Sequence, residues 1–220
     1  MKLIRLTIIV GVVTGLLIAG FILTHPKEPV VPGVALTDCD GAIQAVVLQY
    51  TTEAGDVSAP IYAQLIAQLP ADVAVYVVCP SPEEFGDLVR RADLPETRAT
   101  PLFLPHPMST WSRDRWVALA SDDDTTMLLA PRGEAGAEYW PQRTGDAKIA
   151  AELGLLINGV DARTSMLYFD GGDIVADADH AYVTPAVATR NIQKTVKTRD
   201  ELITALEADL GRPVVLLDQA

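Results

Sequence analysis

The sequence is poor in cysteine, histidine and aromatic side chains. Its 220 residues include two cysteines, three histidines and 6% aromatic residues. Two cysteines cannot form the dense disulfide framework that stabilises small secreted scaffolds. Basic residues are also scarce, with 17 against 29 acidic residues, so the net charge is −12. A negative field of this size repels phosphate backbones, and we therefore expect no nucleic acid partner.

What is present is ordinary for a globular protein. Hydrophobic residues make up 49% of the chain and charged residues 21%, which excludes a disordered chain and a collagen. Domains usually have about 100–200 residues, so the length allows one medium domain or little more.

A long uncharged segment lies near the N-terminus. Residues 6–23 carry no charge and are mostly apolar, which predicts a membrane-spanning helix. A cleaved signal peptide is the alternative, although the residues before Ala19 and Gly20 fit a cleavage site poorly. Because Lys2 and Arg5 would stay in the cytoplasm, the remainder would face the extracytoplasmic side, anchored or exported. We expect residues 1–24 to be this anchor or signal.

The remainder is expected to comprise a tether and an α/β domain. Prolines punctuate residues 25–41, which we interpret as a Pro-rich tether, and the domain would occupy residues 42–220. Its first half predicts a β-α-β-α-β order, which favours an α/β layer architecture. Strands are predicted at 42–49, 73–79, 100–104, 116–120, 126–130, 166–169, 174–176, 181–184 and 214–217. Helices are predicted at 58–69, 145–156 and 198–210, and another is predicted to begin at Ser81 or Pro82.

Two polar segments in the second half could carry chemistry. The first, Trp111–Trp116 (WSRDRW), puts an indole, a carboxylate and two guanidinium groups before a predicted strand. The second, Tyr168–Ile174 (YFDGGDI), has Asp170 and Asp173 on either side of two glycines. Consecutive glycines permit the close approach of another group, and carboxylates accept paired hydrogen bonds from a guanidinium. Both segments therefore suit the binding of a planar cation.

Each segment also has a purely structural interpretation. Arg113 and Asp114 could form a structural ion pair, and the Asp-Gly-Gly-Asp segment could be a tight turn. Residues 122–124 are three consecutive aspartates, but a hard-cation loop needs ligands at alternating positions and a distal carboxylate. We expect a solvated turn there, and no metal or organic cofactor.

Taken together, the segments resemble those of the guanidine-modifying (pentein) superfamily, which includes arginine deiminases, dimethylarginine hydrolases and agmatine deiminases. The resemblance rests on WSRD followed by FDGGDIVADADHAYVTPAVATRN and covers roughly Ala42 to Ala220. Trp-x-Arg-Asp and the Arg190-Asn191 ending are similar to the agmatine deiminase and bacterial peptidylarginine deiminase branch. Asp-Gly-Gly-Asp is closer to the dimethylarginine hydrolase and arginine deiminase branches.

The resemblance implies an α/β fold, a pentein-type propeller of which this chain would hold about three of five ββαβ-like modules. It also implies a two-stage hydrolysis, in which a cysteine attacks the guanidinium carbon and water then releases a ureido product. Asp114 would bind the substrate guanidinium. Asp170 would stand at the position of the acidic residue that supports the catalytic histidine in the family. Asp173 would contact substrate, Trp111 would line the pocket and stack on the cation, and Arg190 could meet a substrate carboxylate.

The chain departs from the family in its nucleophile. The family's catalytic histidine and late cysteine have no counterpart, because Cys39 and Cys79 precede both segments and the histidines are His25, His106 and His180. We therefore expect a partial domain that oligomerises or is completed by a missing C-terminal half.

Agmatine deiminase-like hydrolysis of agmatine, arginine or peptidyl-arginine is one hypothesis. A tethered domain that binds guanidino compounds or polyamines without turnover, or a plain interaction domain, is the alternative. A disulfide between the two cysteines stays open.

Overall fold

Three separate β-sheets form the framework of the chain. The computed structural model describes residues 33–38, 43–121, 125–133 and 143–217. The predicted anchor at 6–23 and Cys39 lie outside these residues, so membrane attachment and the disulfide stay predictions. Within the described residues, no helix combines the length and apolar character needed to cross a membrane.

The described residues hold ten strands and five α-helices, joined by several short 3-10 turns. In chain order these are β1 (Val34–Ala35), β2 (Ala45–Gln49), α1 (Gly55–Gln68), β3 (Ala74–Cys79), α2 (Pro82–Ala92), β4 (Thr100–Phe103), β5 (Val117–Ala120), β6 (Thr126–Ala130), α3 (Ile149–Leu156), β7 (Val160–Thr164), β8 (Ile174–Ala176), β9 (Ala181–Val183), α4 (Pro185–Asn191), α5 (Arg199–Leu210) and β10 (Val214–Leu216).

The first sheet is wholly parallel, in the order β2-β3-β4. Its strands alternate with α1 and α2, so the predicted β-α-β-α-β order is confirmed. Ser81 caps α2 by accepting a hydrogen bond from the Glu84 backbone N–H, and Pro82 follows at the first turn, where a missing N–H costs nothing. Val75 and Val77 of β3 are buried against both helices. Burial of this β-branched strand on both faces explains its continuous apolar sequence.

The second and third sheets repeat one topology. In each, an antiparallel hairpin is followed by a helical crossover and a parallel third strand. The units are β5-β6-α3-β7 and β8-β9-α4-α5-β10, and β1 adds to the edge of β5. This β-β-α-β repeat is not visible as sequence repetition. Among the described residues the three sheets remain separate, and no closed propeller is formed.

Two hydrophobic clusters connect the sheets. Leu119 and Leu129 of the second sheet are buried with Val183 and Leu206 of the third unit. Val78 and Leu128 belong to another cluster, which joins the first sheet to the second beneath α3. Since neither sheet could bury its apolar face alone, these contacts fix the sheets relative to one another.

The sequence prediction was wrong at one strand. Residues 166–169 are not a strand, although Leu167 and Phe169 are buried in the core, at 0% and 2% exposure. The parallel strand of this unit is Val160–Thr164, whose VDART sequence has little apolar character because none of its residues is fully buried. The apolar pattern at residues 166–169 therefore belongs to a buried loop, and the edge strand Val160–Thr164 has no such pattern. The helix α4 was also missed, because its seven residues are too few for a clear helical period.

Part of the predicted tether is folded. Val34–Ala35 pairs with β5, and Ala35 is fully buried. Asp38 accepts hydrogen bonds from the backbone N–H of Ala176 and from Arg113. The folded region therefore includes residues 33–38, upstream of the predicted domain start at residue 42.

Candidate functional site

The two polar segments occupy equivalent places in the two β-β-α-β units. Ser112–Asp114 is a 3-10 turn that leads into β5, and Gly171–Asp173 is a 3-10 turn that leads into β8. Repetition of the fold therefore brings both segments to the entrance of a hairpin, although their sequences differ.

Gly171 brings the two segments into backbone contact. A Cβ atom at this position would lie 2.3 Å from the carbonyl oxygens of both Arg113 and Trp116. No side chain fits such a space, so glycine is required there by close approach. At Gly172 the nearest atom to an added methyl group would be Asp114 Oδ1, at 3.6 Å. Gly172 thus lies beside the Asp114 carboxylate, but a methyl side chain would fit at this position.

The first segment is held by its serine, its arginines and its neighbours. Ser112 Oγ accepts a hydrogen bond from the Gln49 backbone N–H at 2.7 Å, which ties the turn to the end of β2. Arg113 donates to Asp38 Oδ1 and to the Ile174 carbonyl, each at 2.9 Å. Arg113 therefore links this turn to β8.

Arg115 is buried beneath this turn. Its guanidinium lies 3.1 Å from Asp146 Oδ2, and both side chains are fully buried. Ser109 donates its backbone N–H and its hydroxyl to the same Asp146 carboxylate, at 2.9 and 2.7 Å. Arg115 Nε also donates to the Trp111 carbonyl at 3.1 Å. This buried network fixes the Trp111–Trp116 turn from below.

The second segment is held by α4. Asn191 is fully buried; its side chain accepts from the Tyr168 N–H at 2.9 Å and donates to the Tyr168 carbonyl at 2.6 Å. Arg190 contacts Asp170 Oδ2 at 2.8 Å and Asp173 Oδ2 at 2.5 Å. Asp173 also accepts from the Thr184 hydroxyl at 2.7 Å. The Arg190-Asn191 pair therefore positions the backbone and both carboxylates of this segment.

Asp114 and Asp170 come together on one guanidinium. Arg143 Nη2 lies 3.7 Å from Asp114 Oδ2 and 3.5 Å from Asp170 Oδ1. Arg143 Nε is 4.0 Å from Asp146 Oδ2. A single nitrogen within 4 Å of both carboxylates requires that they face the same space. Both carboxylates are partly exposed, at 22% of their side-chain surface.

The remaining predicted site residues have other surroundings. The Trp111 indole is 64% exposed at the start of the first turn, so its role as a pocket wall stays a prediction. Arg190 is engaged with two carboxylates, and its expected contact with a substrate carboxylate likewise stays a prediction. Asp173 lies in the same cluster and is held by Arg190 and Thr184.

The described cysteine and histidines contact groups other than the carboxylates of this cluster, although His106 packs against Gly145, the residue before Asp146. Cys79 is a buried free thiol whose Sγ lies 3.5 Å from the Ser81 carbonyl. Burial raises its pKa to about 11, helped by the nearby Glu84 charge. His106 Nε2 is 2.7 Å from Glu152, and the His180 ring packs near Tyr182. Within the described residues, no three His, Cys, Asp or Glu side chains are grouped so as to hold a metal ion.

Arg115, Arg143 and Asp146 were not predicted as site residues. The WSRDRW segment contained Arg115, but nothing in its spacing distinguished a buried arginine from a second surface arginine. Asp146 lies in the first turn of the predicted helix 145–156, where an acidic residue is common. Arg143 stands in a stretch without periodicity, so the sequence offered no signal for its position beside two distant aspartates.

Several solved structures with a similar fold are named as deiminases. A structure provisionally named a peptidyl-arginine deiminase matches 85% of this chain and 57% of its own, at 16% identity and a TM-score of 0.66. Agmatine deiminase from C. jejuni matches 86% of this chain and 55% of its own, at 11% identity and a TM-score of 0.62. Agmatine deiminase from Enterococcus faecalis matches 84% of this chain and 51% of its own, at 17% identity and a TM-score of 0.60.

Sequence comparison adds nothing to this. No family profile matches the chain, and no curated protein matches it. The chain spans little more than half of the length of the solved structures named above. At these levels of identity the likeness concerns the fold. The chain has the α/β fold of the guanidine-modifying (pentein) superfamily.

Proposed function

We propose that this domain recognises a guanidinium group as part of an agmatine deiminase-like hydrolase of guanidino C–N bonds. The observation that carries the proposal is the convergence of Asp114 Oδ2 and Asp170 Oδ1 on one guanidinium nitrogen of Arg143. The spacing of the two carboxylates therefore accommodates the functional group that a guanidino substrate would present.

The physical basis is the match between a planar cation and paired carboxylates. A guanidinium has five N–H donors in a fixed fork, and ionised carboxylates are acceptors only. Such charge-assisted bonds are roughly twice as strong as neutral ones. Asp114 would grip the substrate, Asp170 would complete the fork, and Asp173 would support Asp170 through their shared contact with Arg190. The exposed Trp111 indole would cover the cation by stacking.

Bond cleavage needs a nucleophile, which in this superfamily resemblance is a cysteine. Thiolate is the reactive form, and Cys79 is fully buried with its pKa raised to about 11. Its sulfur also faces the Ser81 carbonyl rather than the carboxylate cluster. We therefore assign the described residues to substrate binding and not to attack on the guanidinium carbon.

Capture of a guanidino compound without turnover is the second candidate. The contacts of Cys79, His106 and His180 favour it, because all three go to groups outside the cluster. Binding and turnover must therefore be measured separately on the same preparation.

The test is calorimetry of the full chain with agmatine, together with an assay for released ammonia. We expect Asp114→Asn to weaken agmatine binding about tenfold or more when Arg143, which contacts the same carboxylate, is replaced by alanine, since a hydrogen bond to a charged group contributes about 1.5–3 kcal/mol. Asp179→Asn is the control, because it removes the same charge from the exposed β8–β9 turn. Ammonia release would favour the hydrolase, and binding without release would favour capture. Absence of binding, or equal affinities with and without Asp114→Asn in the Arg143→Ala background, would overturn guanidinium recognition.

A further inference from the structure

The guanidinium between Asp114 and Asp170 belongs to the protein itself. Arg143 precedes the turn that carries Asp146 and places its Nη2 atom against both site carboxylates. Its side chain is only 16% exposed, less than either carboxylate at 22%. The internal cation is therefore seated within the cluster rather than above it.

The charges of the cluster depend on this arginine. Asp114, Asp146, Asp170 and Asp173 contribute four carboxylates, which contact three guanidinium groups. Two of these guanidinium groups hold the aspartates in place. Arg115 is buried against Asp146, and Arg190 forms ion pairs with Asp170 and Asp173. Arg143 is the third guanidinium, and its Nη2 is the atom on which the two partly exposed carboxylates converge. Its departure would remove one positive charge from beside Asp114 and Asp170.

We infer that Arg143 is an internal competitor, which occupies the guanidinium site and must be displaced before an external ligand binds. This inference rests on the proposed function. It also defines the ligand class, because the space that Arg143 vacates accepts another guanidinium. Agmatine presents a guanidinium without a carboxylate, whereas free arginine adds a carboxylate that the aspartates of the cluster would repel.

The competition has a quantitative consequence. When the competent state is only partly populated, the apparent affinity falls by the populated fraction. Removal of Arg143 therefore raises ligand affinity even though it deletes a side chain from the site. A residue that merely supported the binding pocket would have the opposite effect on affinity.

The experiment compares Arg143→Ala with wild type and with Arg132→Ala in the full chain. Arg132 is exposed and lies over the Tyr168 ring at 5.8 Å, so Arg132→Ala changes the net charge equally without opening the cluster. We expect Arg143→Ala to bind agmatine at least about tenfold more tightly than wild type. Arg132→Ala should match wild type, and 1,4-diaminobutane, which lacks the guanidinium, should gain much less from Arg143→Ala.

A second measurement covers the stability of the variant. Methylguanidine at millimolar concentration should raise the melting temperature of Arg143→Ala more than that of wild type, because in wild type it must first displace Arg143. The two proposals fail differently. If wild type and Arg143→Ala bind agmatine equally, and Asp114→Asn weakens that binding, the competition is overturned and guanidinium recognition stands. If neither protein binds agmatine and methylguanidine has no effect on Arg143→Ala, both are overturned.

Discussion

Two arginines that stand two positions apart have different physical roles. Arg113 is 52% exposed and pairs with Asp38, which is itself 33% exposed. Arg115 is fully buried and pairs with Asp146, which is also fully buried. Exposed pairs are screened by water and contribute little. A buried pair leaves an uncompensated charge when one partner is removed.

This difference predicts unequal costs of substitution. Arg115→Met should lower the free energy of unfolding by about 3–5 kcal/mol, because Asp146 loses its buried counter-ion. The matched Arg113→Met should change it by no more than about 1 kcal/mol. Urea titration monitored by circular dichroism measures both. Equal losses in the two variants would show that the buried pair does not hold the turn.

Cys79 gives a second prediction at the level of single residues. With its pKa raised to about 11, only about one thiol in a thousand is ionised at pH 8. In a Cys39→Ser variant, iodoacetamide should therefore label native Cys79 at least about a hundredfold more slowly than the same protein in urea. Labelling should accelerate as the pH rises toward 11. Rapid labelling of the native variant at pH 8 would restore Cys79 as a candidate nucleophile.

The elements bring the two acidic segments together through one glycine. Gly171 contacts the Arg113 and Trp116 carbonyl oxygens, and both turns lead into the first strand of a β-β-α-β unit. The sequence identified both segments but not their contact, because the fold repeat that aligns them has no sequence counterpart.

Gly171→Ala and Gly172→Ala form a matched pair that tests this contact. A methyl group at Gly171 would overlap two backbone oxygens, which should cost about 1–3 kcal/mol of stability and move Asp114 relative to Asp170. Gly172→Ala meets only ordinary van der Waals contact and should be within about 0.5 kcal/mol of wild type. Thermal unfolding and agmatine titration of both variants provide the readout. A tolerated Gly171→Ala with unchanged binding would show that the two turns are not locked.

Sequence patterns predicted the elements where burial and periodicity agree. The parallel strands of the first sheet and the hairpin β5-β6 are apolar and bounded by polar turns, so composition was sufficient. The edge strand Val160–Thr164 was missed because partial burial leaves it without apolar content. Asp170 and Asp173 were selected because they flank two glycines, and Asp114 was selected because it lies among aromatic and basic residues in the Trp111–Trp116 segment. Arg143 and Asp146 required the tertiary structure, since long-range charge pairing leaves no local pattern.

The whole molecule has an acidic balance that its fold partly explains. Among the described residues, one cluster holds four carboxylates and three guanidinium groups and so contributes to the net charge of −12. This cluster lies between the second and third units. A negative field attracts cations and repels polyanions.

The most direct test of this account is a double-mutant cycle on agmatine affinity with Asp114→Asn and Asp170→Asn, in wild type and in Arg143→Ala. Residues that grip one group are energetically coupled. In the Arg143→Ala background, each single substitution should weaken binding about tenfold or more, and the double variant should lose clearly less than the product of the two effects. In wild type the losses should be smaller, because the same carboxylates hold Arg143. Circular dichroism confirms that each variant is folded. Strictly multiplicative losses, or unchanged affinities, in the Arg143→Ala background would contradict a single guanidinium site shared by Asp114 and Asp170.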